Sequence, residues 1–151
     1  FIPINKHGKQ GAELANRLDQ AFQSDLQILT FPAGLVSRRI NGQIVDLEWK
    51  KSFINKSKQY QRDIIPIHIS GRNSNFFYRL GSFRKFLGIK ANIEMLYLID
   101  ETYKHRNKTF IVKFGKPIPN QTFDKTKRPL AWAKWVKEQV YKMDGVNSIP
   151  L

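Results

Sequence analysis

The chain has no cysteine, and that one absence removes disulfides, thiol nucleophiles and thiolate metal sites together. It fits a reducing compartment, for which cytoplasm is the default. No apolar run approaches the roughly 18 residues a transmembrane helix needs, and no charged stretch followed by an apolar one opens the chain as a secretion signal would. The reading is a soluble or peripheral protein. Acidic residues are scarce, 12 against 26 Lys and Arg, for a net charge of +14. The scarcity is regional: no Asp or Glu lies between Ile64 and Ile93, where Arg72, Arg79, Arg84, Lys85 and Lys90 all fall, and from Leu26 to Val45 the charges are Arg38 and Arg39 alone. Such a field points to a polyanion or an anionic membrane surface as partner.

Several chemistries lack their residues. There is no Gly-rich P-loop, nucleophile elbow, internal repeat or low-complexity tract. The three histidines, His7, His68 and His105, do not pair at metal-site spacing with one another or with a carboxylate, so no metal or cofactor is expected. His68 reads as a core histidine in an apolar strand and His105, between Lys104 and Arg106, as part of a solvated face. His7, in the basic loop Asn5 to Lys9, is left open between a ligand-facing and a plain surface role.

With 41% hydrophobic and 13% aromatic residues, the 151-residue chain fits one globular domain. Phe1 to Ile4 reads as a strand. Helical spacing of Leu14, Leu18, Ala21 and Phe22 predicts a helix over Gln10 to Gln23, and Asp25 to Phe31 predicts a second strand. Asn41-Gly42 predicts a turn, after which Asp46 is placed to cap a helix carrying Leu47, Phe53 and Ile54. Ile64 to Ser70 reads as a strand covered on both faces, with Pro66 marking an edge or bulge. Phe76, Phe77, Leu80, Phe83 and Leu87 predict a helix within Ser74 to Leu87, weakened at Gly81. Ile93 to Ile99 is ambiguous between strand and helix, Asp100 to Asn107 suggests a helical turn or two, Thr109 to Gly115 alternates as a strand, and Leu130 to Met143 is a helix with Trp132 and Trp135 packed on the sheet. The sum is an α/β fold with a mostly parallel or mixed central sheet and helices on both faces.

The most informative stretch is Phe31-Pro32-Ala33-Gly34-Leu35-Val36-Ser37-Arg38-Arg39. Pro32 and Gly34 stop strand pairing, Gly34 allows a close backbone approach, and Ser37, Arg38 and Arg39 supply donors suited to an anion. These residues resemble the F-P-E-G-T-R-S block of the lysophospholipid and glycerolphosphate acyltransferases, and F-P-A-G-L-V-S-R is the wording of their hemolysin-like, ornithine-lipid-type branch. In order along the chain, Phe1 to Lys6, Ile64 to Ile67 and Phe114 to Ile118 resemble further blocks of that family. Asp46 to Phe53 and Ser70 to Ser74 are similar to the branch.

The resemblance implies transfer of a fatty acyl group, from acyl carrier protein or acyl-CoA, to a lysophospholipid, glycerol phosphate or lyso-aminolipid. It implies acceptor contacts from Phe31, Pro32, Gly34, Ser37, Arg38, Arg39, Lys6 and His7. The family's H-x-x-x-x-D signature is missing: five residues after His7, His68 and His105 stand Ala12, Asn73 and Phe110. The expectation is that residues 1–151 are the C-terminal part of an acyltransferase domain, that the catalytic pair lies upstream of Phe1, and that the chain alone is inactive. Ala33 replaces the usual Glu and Val36 the usual Arg, which leaves the acceptor's headgroup open. The Phe76 stripe is read two ways, as core or as an interfacial helix in which Phe76, Phe77, Arg79, Phe83, Arg84 and Lys85 face the inner surface of the cell membrane. A basic nucleic-acid-binding module is the alternative reading of the charge, although no RNP-type, KH or zinc-knuckle wording is present.

Overall fold

Asn41 and Gly42 set the first local constraint. Both take positive φ, 49° and 80°, the pair of values a two-residue hairpin turn demands, and Asn-Gly adopts it at little cost. The turn joins β1 (Arg38–Ile40) to β2 (Gln43–Val45) in antiparallel register, with Arg38 opposite Val45 and Ile40 opposite Gln43. A computed structural model describes residues 12–145, so the expected strand at Phe1 to Ile4, together with Lys6 and His7, lies outside the described residues.

Around the hairpin the order is α1 (Ala12–Gln23), β1, β2, α2 (Ser52–Tyr60), β3 (Ile67–Ile69), α3 (Asn75–Phe86), a 3-10 turn at Ile93–Tyr97, α4 (Leu98–Lys104), β4 (Val112–Phe114) and α5 (Pro129–Lys142). Pro129 opens α5, where its missing N–H has no helical partner to lose. Ser74 caps α3 by accepting the Phe77 amide at 3.2 Å. One core forms where α5 lies on α2: Ile54, Ile118, Phe123, Trp132, Ala133 and Val136 are buried, with Trp49, Phe53, Ile64 and Trp135 packed against them. Trp132 and Trp135 thus join a core shared by α5, α2 and the bridged pair Ile64 and Ile118.

Both sheets of the described residues are two-stranded and antiparallel, in place of the expected parallel or mixed central sheet. Asp25 to Phe31 enters no ladder among the described residues. Arg62 ties its start to the end of α1: the guanidinium donates to Phe22 O at 3.2 Å and to Ser24 O and Leu26 O at 2.6 Å each. Leu26, Leu29 and Phe31 stay exposed.

In the second sheet Ile67 faces Phe114, His68 faces Lys113 and Ile69 faces Val112, and an isolated bridge pairs Ile64 with Ile118. Strand alternation sends His68 and Lys113 to the α5 side, where Lys113 Nζ donates to Met143 O at 2.8 Å and His68 Nε2 lies 3.7 Å from an Asp144 oxygen. The other face presents Ile69, Val112 and Phe114 to solvent. The strand expected to be covered on both faces is covered on one. The ambiguous stretch from Ile93 resolves into the 3-10 turn followed by α4.

Candidate functional site

The loop from Phe31 to Ser37 is built by short bonds from three directions. Gly34 N–H donates to Phe31 O at 3.0 Å and closes a tight turn, with Gly34 at φ 68°, a value that disfavours any side chain. Lys50 N–H donates to Pro32 O at 3.0 Å. A Cβ added to Gly34 would stand 3.9 Å from Lys50 Nζ, so this amine hangs over the glycine.

Asp46 ties the loop's far end to α5. Its carboxylate accepts from Ser37 Oγ at 2.7 Å and Trp49 Nε1 at 3.2 Å. Its own amide donates to Tyr141 Oη at 2.8 Å, and its carbonyl accepts from Lys137 Nζ at 2.7 Å. Asp46 was expected to cap a helix; α2 begins only at Ser52, because Asp46 is already committed to these partners. Burial pushes the Tyr141 hydroxyl pKa up, and it pulls the Lys137 amine pKa down against the opposing attraction of Asp46.

Arg38 leaves the loop for a fully buried carboxylate. Its Nη2 lies 3.0 Å from Glu94 Oε1, and Arg84 Nε lies 2.8 Å from Glu94 Oε2. Arg38 Nη1 also donates to Val36 O at 3.1 Å, and its guanidinium carbon sits 5.9 Å from the Phe77 ring centre. Two guanidinium groups on one carboxylate leave a net charge of about +1, so the cluster remains attractive to an anion. Arg39 reaches Asn75 Oδ1 at 3.1 Å, while its Nε finds no partner among the described residues. The structure thus brings Gly34, Ser37, Arg38 and Arg39 into one connected frame with α3 and α5, and leaves Phe31 exposed at its edge.

Two residues that support this frame, Glu94 and Lys50, were not singled out by the sequence. Lys50 falls inside the branch-like Asp46 to Phe53 block, a usable signal; Glu94, in an ambiguous stretch, offered none. The interfacial reading of α3 needs two corrections. Phe77 is 1% exposed and belongs to the interior, and Arg84 turns inward to Glu94. Phe76, Arg79, Phe83 and Lys85 do face outward. His105 is half-buried with its ring 5.4 Å from Phe110, and so is not part of a solvated face.

Beside Arg39, a cleft of about 520 Å³ opens between the start of α3 and the end of α4, lined by Arg72, Asn75, His105 and Lys108 among others. Its floor carries Glu101, which accepts from the Ser74 amide, from Ser74 Oγ at 2.7 Å and from Lys104 at 3.0 Å. Among the described residues no cluster of three or more His, Asp or Glu side chains could hold a metal ion, and no helix is long and apolar enough to cross a membrane.

An acyltransferase family model matches residues 1–146. The chain is 60% identical over 142 residues to a lyso-glycine lipid O-acyltransferase of Bacteroides thetaiotaomicron, covering 94% of this chain and 52% of that protein. It is 56% identical over 142 residues to a lyso-glycine lipid O-acyltransferase of Phocaeicola vulgatus, with 94% and 51% covered. The chain spans about half the length of these curated relatives. No solved structure matches it. With the Phe31 to Arg39 loop held as a built site and the family match running over nearly the whole sequence, the chain belongs to the acyltransferase family.

Proposed function

We propose that the protein carrying this chain transfers a fatty acyl group from a thioester, acyl carrier protein or acyl-CoA, to the hydroxyl of a monoacylated glycine lipid at the cytoplasmic membrane surface. The observation that carries this reading is the 60% identity over 142 residues to a protein of that name. In the step itself the acceptor oxygen attacks the thioester carbonyl carbon, the C–S bond breaks, and the hydroxyl proton passes through a histidine base to the leaving thiolate. That base and its Asp belong to the H-x-x-x-x-D block, which residues 1–151 lack. This chain's part is to hold the acceptor.

The chemistry of the loop agrees with such a headgroup. A glycine linked through its nitrogen ends in a carboxylate with a single negative charge, whereas glycerol phosphate brings close to two. Val36 in place of arginine removes one guanidinium from the loop, which suits the smaller charge. Arg39, Lys50 and the Glu94-anchored Arg38 supply planar and point-charge donors to the carboxylate, with Lys6 and His7 as further candidates, while Gly34 lets the head approach the backbone and Phe31 and Pro32 shape the rim.

The test is acyl transfer by the full-length enzyme to a lyso-glycine lipid and to glycerol phosphate. Arg39→Ala is expected to raise the acceptor KM about tenfold with kcat nearly unchanged, the result of losing a charged hydrogen bond worth about 1.5 kcal/mol. A preference for glycerol phosphate, or an unchanged KM in that variant, overturns the assignment.

A further inference from the structure

Along α3, Phe76, Leu80, Phe83 and Leu87 fall at i, i+4, i+7 and i+11, one line down the helix. Phe76, Phe83 and Leu87 are exposed, and Phe86 beside them is 85% exposed. The line does not stop at the helix. The Phe76 ring meets Tyr97 edge-on at 5.2 Å, with Lys104 Nζ 5.8 Å from its centre, which joins α3 to the 3-10 turn and α4. There Leu96 is 80% and Ile99 73% exposed. The inward side of α3, Phe77 and Tyr78, is already buried, so the outer line is surplus to the core.

The charges around this face have one dominant sign. Arg79, Lys85 and Lys90 are exposed on α3 and the turn after it. Of the nearest acids, Glu94 is buried between Arg38 and Arg84, and Asp100 pairs with Lys104 at 2.6 Å. We infer that this face docks on an anionic lipid bilayer, with Phe83, Phe86, Leu87 and Leu96 in the headgroup boundary and Arg79, Lys85 and Lys90 on lipid phosphates. A second copy of the chain is a poorer occupant, because it would bring the same cations face to face. The inference rests on the lipid-acceptor reading above and adds a consequence to it. Arg39 to Asn75 ties α3 directly to β1, which carries the acceptor loop, and Arg38 and Arg84 of α3 meet on the same Glu94 of the 3-10 turn. Docking by the outer side brings the loop within about one helix diameter, roughly 10 Å, of the membrane surface. An acceptor then presents its head to the loop while its chain stays in the bilayer.

The experiment is co-sedimentation of the chain with vesicles of phosphatidylcholine containing phosphatidylglycerol, and with vesicles of phosphatidylcholine alone, at low protein concentration. Wild type is expected to bind the first and scarcely the second, with binding falling as salt is raised. Phe83→Ser with Phe86→Ser, and separately Lys85→Glu with Lys90→Glu, are expected to cut binding about tenfold or more, since each cation is worth about fivefold; Phe114→Ser, on the sheet, is expected to leave it unchanged. All four altered residues of the two double variants are exposed, so folding is preserved and is checked by circular dichroism. Equal binding to both vesicle types, or loss in Phe114→Ser with retention in the double variants, overturns the inference. In the full-length enzyme, the double variants should lose transfer to vesicle-embedded acceptor and keep transfer to detergent-dispersed acceptor. Absence of both transfers in wild type would refute the catalytic reading, while the vesicle result would still decide the docking face.

Discussion

Asp46, Glu94 and Glu101 show how differently three carboxylates serve one molecule. Asp46 joins the loop to α5 by hydrogen bonds, Glu94 is wholly enclosed and neutralised by two arginines, and Glu101 anchors the start of α3. For Glu101, burial works to raise the pKa, but the Ser74 amide and hydroxyl together with Lys104 hold it below the ordinary glutamate value. The folded state therefore binds its proton less readily than the unfolded chain. Stability from this group is full above the unfolded glutamate range and is lost as pH falls through the lowered folded value. Urea denaturation between about pH 5 and pH 3 should show a steeper loss of stability in wild type than in Glu101→Gln. None of the three roles was legible in the sequence. Asp46 has the residue type and place of an N-cap, yet its partners Ser37 and Tyr141 are 9 and 95 residues away, a distance no local pattern spans.

At the scale of elements, α3 has a weakness that can be corrected. Gly81 lies mid-helix, where glycine costs about 1 kcal/mol relative to alanine. A Cβ there would meet the Glu94 carboxyl carbon at 3.6 Å, an ordinary contact. Gly81→Ala should accordingly raise unfolding stability by about 0.5–1 kcal/mol, read from the urea midpoint at constant m-value. The helices α1, α3 and α5 and the Asn41-Gly42 turn were legible because each is fixed by residues within a few positions: apolar periodicity, a leading Pro129, a two-residue turn. Strands were legible too at Ile67–Ile69 and Val112–Phe114, inside the expected Ile64 to Ser70 and Thr109 to Gly115, but their pairing into a sheet was not. A ladder needs a partner strand, and Asp25 to Phe31 has the composition of a strand but enters no ladder among the described residues, while Arg62, just after α2, takes the Leu26 carbonyl. The loop at Phe31 to Arg39 was legible as a family block, and its geometry then had to come from Lys50 and Asp46.

At the scale of the whole molecule, burial is uneven. The α2–α5 side holds the packed core, while α3, α4 and the β3–β4 ribbon leave large apolar side chains open. The ribbon is the plainest case: one face is closed by α5, and the other sets Ile69, Val112 and Phe114 in a flat apolar strip. Molecules that each carry +14 repel one another, and this repulsion opposes the pairing of two such strips in dilute buffer. That repulsion reaches about 10 Å at 0.1 M salt and only about 3 Å at 1 M. Added salt, the usual remedy for unwanted sticking of a basic protein, should for this chain release self-association. Light scattering across a salt series is expected to show particle size growing with ionic strength, and a Phe114→Ser chain should stay monodisperse to higher salt.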